Sequence, residues 1–322
     1  MSITLQRTLR LYSKTASRSS LPANGTVPSC LTALRSFSSS RSTREEDLSD
    51  VKVTDRMSLK GRNVFVTGGG RGIGFAICKA IAQLGGNVAV IDALPEPVEE
   101  FHTLEKKYGT KAFYQTADVT KEDSLGTAFK DAENELGEFH GCVPAAGIAL
   151  DKPLADHKWD ESLRVLMVNT MGTFWTVKLM ADHMAKHRQG GSIVMIASIA
   201  AQGNKIPEQN LAIYNMSKAA VKGLVGPLAV EVSESGIRVN SISPGVIRSP
   251  MTKALETDFP KLQQMFENAA PAGRIGVPED LTPAIMYLLS DAASFTTGAD
   301  LLISGGFHAG VRPSWMHRAM PQ

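Results

Sequence analysis

From about residue 58 onward, short apolar runs alternate with amphipathic stretches, and this alternation restricts the possible folds more than any other feature of the chain. The apolar runs predict strands at residues 63–67, 87–92, 112–116, 141–145, 191–197, 238–242 and 299–303. Helical patterns separate them, near residues 73–84, 95–108, 121–136, 159–187, 212–233 and 278–290. Such alternation is typical of right-handed βαβ units, and strands that are apolar on both faces suit a sheet covered by helices. We therefore expect a single doubly wound α/β domain, with a seven-stranded parallel sheet, over residues 50–310.

Charge and hydropathy exclude two classes of partner. The longest apolar runs end well before the roughly 18 residues that a membrane span needs, so we expect no membrane segment. The formal net charge is +2, but the first 44 residues carry +7, which leaves −5 on residues 45–322. A mildly acidic body argues against nucleic acid as a partner.

The first 44 residues form a separate segment, rich in Arg and Ser and free of acidic residues. Apolar residues at positions 3, 5, 9 and 12 can form a helical stripe, and the uninterrupted apolar core of a secretory signal is missing. This composition is typical of an organelle transit peptide, and Arg35 places a cut near Phe37. We expect import into the mitochondrial matrix. A disordered basic tail on a cytoplasmic protein is the alternative.

A glycine-rich loop joins the first predicted strand to the first predicted helix, in NVFVTGGGRGIGFAIC. Thr67, Gly68, Gly72 and Gly74 have the spacing T-G-x-x-x-G-x-G. Glycines here allow a tight turn and let backbone N–H groups approach a pyrophosphate at the helix N-terminus. Glycine-rich turns also end strands for steric reasons alone. The position between strand and helix is what favours a dinucleotide.

Two acidic residues end the next two predicted strands. Asp92 lies 18 residues after Gly74, where a carboxylate can bond the ribose hydroxyls of NAD and repel the 2′-phosphate of NADP. Arg71 in the glycine loop can instead attract that phosphate, but we expect NAD rather than NADP. A turn-capping role is the alternative for Asp92. Asp118 can meet the adenine, or cap the helix that begins near Lys121.

Three further stretches follow in the order SIVMIAS, YNMSK and RVNSISPGVIRSPM. Together with the glycine loop they resemble the short-chain dehydrogenase/reductase family, over residues 60–306. The combination is very specific. The resemblance implies a Rossmann fold and an NAD(P)-dependent oxidoreductase that interconverts a secondary alcohol and a ketone.

The family's active site consists of an Asn, a Ser, a Tyr and a Lys, which match Asn169, Ser198, Tyr214 and Lys218. Tyr214 and Lys218 are one helical turn apart and therefore share a face. A free phenol has a pKa of about 10. We expect the Lys218 ammonium and a positively charged nicotinamide to lower it, so that Tyr214 can exchange a proton with the substrate. Ser198 would bond the substrate oxygen, and Asn169 would hold a water that links Lys218 to solvent.

The resemblance also implies which residues contact the dinucleotide. They are Thr67, Gly68, Arg71, Gly72, Ile73, Gly74, Asp92, Asp118, Val119, Asn169, Tyr214, Lys218, Ile247 and Ser249. The backbone of Ile247 would reach the nicotinamide carboxamide, and Ser249 stands where the family usually has Thr. Residues 246–276 would form a mobile lid over the substrate, with a long surface loop as the alternative.

The chain departs from the family pattern at two places. The motif NNAG or NAAG reads PAAG at residues 144–147. Pro144 removes a backbone donor, so we expect local loosening near the cofactor without loss of chemistry. The interval from Ser198 to Tyr214 is also longer than usual, and GNKIPEQNLAI predicts an enlarged loop on the substrate side.

That loop, together with AAGIALDKPL and GGSIVMIAS, resembles the fungal polyol and ketose reductases of the family, including D-arabinitol 2-dehydrogenases. The favoured substrate is therefore a polyol/ketose pair. Polar groups for its hydroxyls can come from Asn204, Glu208, Gln209 and Asn210. A solvated loop is the alternative for these four residues.

Two other functions compete with this hypothesis. A 3-oxoacyl or polyketide-type reductase would need a larger apolar pocket, and its lining can come from Met251, Leu255, Phe259 and Met265. A non-catalytic dinucleotide-binding sensor is the rival from another class. Such a sensor would have little reason to retain the four active-site residues together.

The remaining features concern assembly and metals. The predicted helices at 159–187 and 212–233 carry small and apolar residues all round, so we expect a homodimer or homotetramer. His183 and His187 are spaced like a zinc pair, but they lack a third ligand, and cationic pairing with a helix C-terminus explains them more simply. The three cysteines match no ligand spacing, so no metal is expected. Trp315 and Met316, in the tail 311–322, can cover a neighbour's site or belong to a frayed terminus.

Overall fold

Seven parallel strands form the central sheet in the computed structural model, which describes residues 50–202, 209–253 and 262–310. The strands are β1 (Asn63–Thr67), β2 (Asn87–Asp92), β3 (Ala112–Thr116), β4 (Gly141–Pro144), β5 (Gly191–Ile196), β6 (Ile237–Pro244) and β7 (Asp300–Ile303). Their order across the sheet is β3-β2-β1-β4-β5-β6-β7, and every pairing is parallel. The predicted α/β fold and its seven strands are confirmed.

Helices cover both faces of this sheet. They are α1 (Val53–Arg56), α2 (Gly72–Gln83), α3 (Leu104–Tyr108), α4 (Glu122–Leu136), α5 (Trp159–Leu166), α6 (Thr173–His187), α7 (Ala212–Glu231), α8 (Leu262–Ala269) and α9 (Thr282–Leu289). The sequence pattern did not predict α1 or α8. It also predicted one helix over 159–187, where the chain instead forms α5, a π-helical segment at Met167–Gly172, and α6.

Successive residues of each strand contribute to two different apolar layers. Val64 and Val66 pack in a layer with α2, α3 and α9, whereas Phe65 packs in a layer with α4, α6 and α7. This alternation follows from the pleat of a strand, and it explains why the strands are apolar on both faces. Phe266 belongs to a third, smaller cluster with Ile199 and Phe307, which holds α8 against the body.

The chain reverses its direction across the sheet between β1 and β4. Strands β1, β2 and β3 proceed to one side, and β4 then returns to the other side of β1. In doubly wound sheets a crevice opens at the carboxyl ends of the strands at such a point, and ligands bind there. The loops after β1, β4, β5 and β6 therefore border the same crevice.

Pro144 weakens the sheet on one side of β4. The amide of Ala145 donates to Thr67 O on β1, so the position before it faces β5, where Pro144 has no N–H to donate. Accordingly, the pairing of β4 with β1 continues to its last residue, Pro144, which lies opposite Thr67. The pairing of β4 with β5 already ends at Cys142, which lies opposite Ile193. The missing donor thus shortens one ladder and leaves the other intact.

Several predicted features lie outside the described residues. They are the segment 1–44, Asn204, Glu208, Leu255, Phe259, Trp315 and Met316. Among the residues that the structure does describe, every helix is too short or too polar to cross a bilayer.

Candidate active site

A cleft of about 1090 Å³ lies at the carboxyl ends of the strands, and most of the predicted site residues line it. They are Gly68, Arg71, Gly72, Ile73, Gly74, Asp92, Asp118, Val119, Ser198, Tyr214, Lys218, Ile247 and Ser249. Thr67 and Asn169 do not line the cleft, because both side chains are buried behind its wall. Thr67 Oγ1 accepts a hydrogen bond of 3.4 Å from the amide of Ala146 and so joins the loops after β1 and β4.

The glycine loop is held by backbone contacts that leave no room for side chains. Gly68 has φ +71°, and a Cβ there would lie 2.5 Å from Ala146 Cα. A Cβ on Gly74 would lie 2.0 Å from Gly68 O, well inside contact distance. The tight turn brings the N-terminus of α2 to the cleft. Its first three N–H groups, at residues 72–74, have no acceptor among the described residues.

Asp92 is fixed by the backbone on both sides. Its Oδ2 accepts from the Gly70 amide at 2.8 Å, and its Oδ1 accepts from the Leu94 amide at 3.0 Å. Asp92 therefore caps the turn that follows β2, which is the alternative role that the sequence offered for it. An ionised carboxylate offers about four lone-pair positions, so two remain for groups in the cleft. The guanidinium of Arg71 lines the same cleft and has no hydrogen-bond or ion-pair partner in the described part of the chain.

Asp118 is not the N-cap of α4 that the sequence offered as an alternative, since Lys121 holds that position and the cap has no side-chain hydrogen bond. Asp118 Oδ1 accepts from both the amide and the hydroxyl of Thr120, at 2.9 and 2.7 Å, just before α4 begins. Burial works to raise the pKa of Asp118, but these hydrogen bonds outweigh burial and lower the pKa. The carboxylate is therefore ionised in the cleft wall, next to Val119.

Asn169 is fully buried at the centre of the π-helical segment. Its Oδ1 accepts from the Ile148 amide at 2.8 Å, and its Nδ2 donates to Ile148 O and to Ser217 Oγ, both at 2.9 Å. One amide thus ties the loop after β4 to α7. A π-helical turn inside a helix is common at functional sites, because it re-aims side chains and backbone groups.

Lys218 points from α7 into the sheet rather than into solvent. Its residue is 6% exposed, and Nζ donates to Ile196 O at 2.8 Å, at the end of β5. A Cβ built on Gly147 would lie 3.4 Å from Asn169 Oδ1 and 3.6 Å from Lys218 Nζ, so both side chains flank the same short stretch of backbone. Burial lowers the pKa of Lys218 to about 8.

Tyr214 lies one turn earlier on the same helix face, with its ring centroid 5.8 Å from Lys218 Nζ. Burial raises the pKa of Tyr214, and a hydrogen bond with Ser198 opposes this only in part. The expectation that Lys218 lowers the phenol's pKa is therefore wrong for the protein groups alone. The reason is that both side chains are desolvated and the ammonium bonds to a carbonyl instead.

Ile247 presents a free amide to the cleft. The Arg248 amide donates to Gly276 O, and the Gly276 amide donates to Val246 O, so the amide of Ile247 itself points the other way. It has no acceptor among the described residues. Thr252 Oγ1 lies 2.9 Å from Ile247 O and 2.8 Å from Ser249 N, and so it supports this stretch.

Comparisons with known proteins agree with this geometry. A family model described as enoyl-(acyl carrier protein) reductase matches residues 68–308. The sorbose reductase of Schizosaccharomyces pombe is 34% identical over 258 residues, which cover 79% of this chain and 99% of that protein. The chain belongs to the short-chain dehydrogenase/reductase family.

Two further proteins of known name are equally similar to this short-chain dehydrogenase/reductase. The NADP-dependent mannitol dehydrogenase of Aureobasidium melanogenum is 34% identical over 80% of this chain and 96% of that protein. The crystal structure of a short-chain type dehydrogenase/reductase from Mycobacterium marinum superposes with a TM-score of 0.75, at 34% identity, over 80% of this chain and 99% of that chain. The present chain is thus an NAD(P)-dependent oxidoreductase that acts on CH–OH groups.

A dinucleotide suits the residues of this short-chain dehydrogenase/reductase. The unpaired amides at the start of α2 can receive a pyrophosphate, since a helix N-terminus favours anions. The free Ile247 amide can donate to a carboxamide. Asp92 retains acceptor capacity for ribose hydroxyls.

Sequence reasoning missed the groups that hold the active-site side chains in place. Ser217 belongs to the YNMSK motif, yet its role as the acceptor for Asn169 is visible only in three dimensions. The carbonyl of Ile196 and the backbone of Ile148 leave no trace in residue type at all. The role of Thr252 in supporting the backbone at Ile247 could not be predicted either. The one hint in the sequence is that this hydroxyl lies three residues after Ser249, the position where the family usually has Thr.

The substrate side of the cleft combines polar and apolar groups. Of the four predicted polar residues, Gln209 lines the cleft, whereas Asn210 is exposed outside it. Of the four predicted apolar residues, Met251 lines the cleft and Met265 does not. Phe266, which was not predicted, lines it in place of Met265.

His183 and His187 lie away from the cleft, beside Glu133 of α4, so the prediction that no third ligand lies near them is wrong. His183 Nε2 accepts from the Phe139 amide at 3.0 Å, so a neutral ring carries its proton on Nδ1, which faces Glu133 Oε1 at 3.3 Å. Burial lowers the pKa of His183, so the expected cationic pairing with the helix end is wrong for this residue. The same tautomer argues against metal binding through Nδ1, since that mode needs the proton on Nε2.

Proposed function

We propose that this enzyme is an NAD-dependent dehydrogenase that interconverts a polyol and a ketose. The observation that carries this proposal is the joint placement of Ser198, Tyr214 and Lys218 on the wall of one cleft that also contains the glycine loop. Two of the relatives are named for a sugar and a sugar alcohol, sorbose and mannitol. The cleft offers hydrogen-bonding groups on its substrate side, which suits a hydroxylated substrate.

In this proposal each active-site residue has a separate task. When bound, the oxidised nicotinamide accepts the hydride and brings the positive charge that a buried phenol needs to ionise. Ser198 donates a hydrogen bond to the substrate oxygen. Tyr214 accepts the alcohol proton during oxidation and returns it to the carbonyl oxygen during reduction. Lys218 keeps a positive charge behind the phenol and holds the nicotinamide ribose.

Asn169 acts as a support in this mechanism rather than as a contact to the substrate. Its amide is fully committed to Ile148 and Ser217, and it keeps the loop after β4 and the start of α7 at a fixed separation. No donor of this amide is left for the water that was expected between Lys218 and solvent, so that water relay stays a prediction.

NAD is the proposed cofactor rather than NADP. The two free lone-pair positions of the Asp92 carboxylate accept ribose hydroxyls, while its charge repels a 2′-phosphate. Arg71 acts in the opposite direction, and the Aureobasidium relative is NADP-dependent by name. Asp92 dominates because the backbone fixes both of its oxygens, whereas the Arg71 side chain is unrestrained by partners among the described residues.

We also propose that the enzyme is a homodimer or homotetramer that pairs through α7. A stripe of small and apolar residues runs along its solvent face at helical spacing, including Met216 at 51% and Val230 at 76% exposure. Gly223 and Gly226 on this face have open space in front of them. Light scattering of the Met216→Glu variant tests this, with a smaller mass expected and an unchanged mass counting against it.

The proposed location is the mitochondrial matrix. Residues 1–44 support it by composition alone, with seven basic residues and no acidic residue. A fluorescent fusion of residues 1–50 tests it. A diffuse cytosolic signal would remove the proposal.

A substrate panel with Tyr214→Phe as the matched control tests the function. Wild-type enzyme is assayed with NAD and NADP against arabinitol, mannitol, sorbitol and xylulose, and with an acetoacetyl thioester. Turnover of a polyol or ketose is expected, and Tyr214→Phe should lower kcat by about 10²–10⁴-fold while cofactor affinity is kept. Activity confined to the thioester would favour the 3-oxoacyl reductase instead. Cofactor binding without any turnover would favour the sensor.

A further inference from the structure

Gln209 is a largely buried residue whose carboxamide is accessible from the cleft. The residue is 8% exposed and lines the cleft. Its carboxamide forms no hydrogen bond with any residue in the described part of the chain. A carboxamide offers two donors and an acceptor, and because this one opens onto the cleft, these groups are available to a ligand that enters it.

The backbone next to Gln209 is held firmly. The Asn210 amide donates to Asp151 Oδ1 at 2.7 Å, and the Lys152 amide donates to Asn210 O at 3.1 Å. Lys152 in turn forms an ion pair with Glu161 at 2.7 Å, on α5. The segment that carries Gln209 is therefore clamped to the loop that follows β4, on the side of the cleft where α7 begins.

The chemistry of the side chain limits what it can recognise. A neutral carboxamide donates and accepts at once, which matches a hydroxyl group, and it provides no charge for an anion. Gln209 precedes Tyr214 by five residues, and both line the same cleft. A hydroxyl carried close to the reacting carbon is thus a suitable partner, whereas the alkyl chain of an acyl substrate is not.

We propose that Gln209 is a specificity-determining residue that binds a hydroxyl group of the substrate near its reacting carbon, and that Asp151 positions it. This inference rests on the proposed function, because it assumes reduction or oxidation at a carbon flanked by hydroxyl groups. It selects ketoses and polyols against plain ketones. A site that hydrogen-bonds a substrate hydroxyl discriminates strongly against analogues without one.

The test compares L-sorbose and D-fructose with 2-hexanone, a ketone of the same carbon number without hydroxyl groups. Gln209→Met keeps the length of the side chain and removes its hydrogen bonds. We expect kcat/KM for the two ketoses to fall by about 10- to 100-fold, with 2-hexanone turnover and NADH affinity unchanged.

The matched control is Gln115→Met on β3. Gln115 bonds to Asp131 outside the cleft, so this variant should change none of these quantities. If Gln209→Met does not fold, Gln209→Glu keeps size and acceptors but loses the donors, and the same ketose-selective loss is expected.

Asp151 has its own readout. Asp151→Leu removes the acceptor for the Asn210 amide and should raise KM for L-sorbose by about tenfold, with a smaller change in kcat. Asp151→Asn retains an oxygen at that position and should restore most of the affinity. Loss on ketoses and 2-hexanone alike would indicate a general structural role and overturn the assignment.

The failures are distinguishable. If wild-type enzyme turns over ketoses and Gln209→Met keeps the full kcat/KM, only the present inference is wrong. If wild-type enzyme turns over no ketose or polyol at all, the proposed function fails, and the inference fails with it.

Discussion

The two ends of the cleft are held by different kinds of interaction. At the end that suits the pyrophosphate, backbone approaches backbone so closely that residues 68 and 74 must lack side chains. At the end that carries Tyr214 and Lys218, buried side chains are held by hydrogen bonds, as Asn169 is by Ile148 and Ser217. The shape of the first end therefore requires residues without side chains. The shape of the second end requires that each buried polar group has a hydrogen-bond partner.

This difference teaches how each end should respond to substitution. Adding one methyl group at the glycine end forces the backbone to move, because packed interiors do not absorb an overlap of that size. Removing one hydroxyl at the catalytic end leaves the backbone in place but strands a buried donor or acceptor. The first change should abolish binding, and the second should weaken catalysis while binding is kept.

The largest expected effect is that of Gly74→Ala. Its Cβ would lie 2.0 Å from Gly68 O, so the turn before α2 cannot keep its shape. We expect cofactor affinity to fall by more than about 100-fold and stability to fall by about 1–3 kcal/mol. Titration of NADH fluorescence and thermal unfolding measure the two quantities.

The control for that substitution is Gly126→Ala. Gly126 lies inside α4 with nothing within 4 Å of its added Cβ. It should raise stability by about 0.5–1 kcal/mol, because alanine is the better helix former. Normal NADH binding by Gly74→Ala would show that the loop adapts, and the contrast between the two ends would then be lost.

Asp92→Asn should give the next largest effect, on cofactor choice rather than on binding as such. Removing the charge ends the repulsion of a 2′-phosphate and leaves Arg71 to attract it. The ratio of kcat/KM for NADP to that for NAD should rise by about 10- to 100-fold, since like-charge repulsion is worth several kcal/mol at close range. The rise should shrink when Arg71→Ala is added. A ratio that already favours NADP in the wild-type enzyme would refute the proposed role of Asp92.

Ser217→Ala removes one hydroxyl from the catalytic end and tests whether Asn169 needs that hydrogen-bond partner. Ser217 Oγ accepts from Asn169 Nδ2 at 2.9 Å and donates to Tyr214 O at 2.7 Å. We expect stability to fall by about 1–3 kcal/mol and kcat to fall roughly tenfold, with KM for the cofactor unchanged.

Ser233→Ala is the matched control for Ser217→Ala. Ser233 Oγ makes the same kind of bond, to Val230 O three residues back at 2.7 Å, but at the exposed end of α7. Its loss should cost little in stability and nothing in kcat. Equal effects of the two variants would mean that Asn169 needs no support from α7.

The contrast between the two ends also explains what could be read from the sequence. Glycine spacing reports directly on backbone approach, and strand periodicity reports on burial, so the seven strands and the loop around Gly68 could be predicted. Residue type does not report which carbonyl a buried ammonium bonds, so the contact between Lys218 and Ile196 could not be predicted. For the same reason the rise in the pKa of Tyr214 in the protein alone could not be predicted, because desolvation of the phenol depends on the packing around it. The π-helical turn at Asn169 was missed because the apolar pattern over residues 159–187 predicts one helix, and residue type does not show where the backbone bonds i→i+5.

The effect expected to be smallest at neutral pH is a pH dependence that arises from Lys218, because it develops only above about pH 8. Burial lowers its pKa from 10.5 to about 8 in the folded protein. Below pH 8 the lysine is protonated in both folded and unfolded chains, so the full penalty for burying the charge is present. Between about pH 8 and 10.5 the unfolded chain binds more protons, so the contribution of Lys218 to stability rises with pH. Because catalysis uses the charged form, kcat should fall as pH rises through the pKa that Lys218 has in the substrate complex. Lys218→Met should abolish the rise in stability, as measured by urea unfolding across this range.

The control is Lys222→Met, one turn further along α7, where the lysine is paired with Asp300 at 3.3 Å. This variant should retain both the rise in stability and the kcat profile. If Lys218→Met kept the same rise, another group would be the source of the pH dependence.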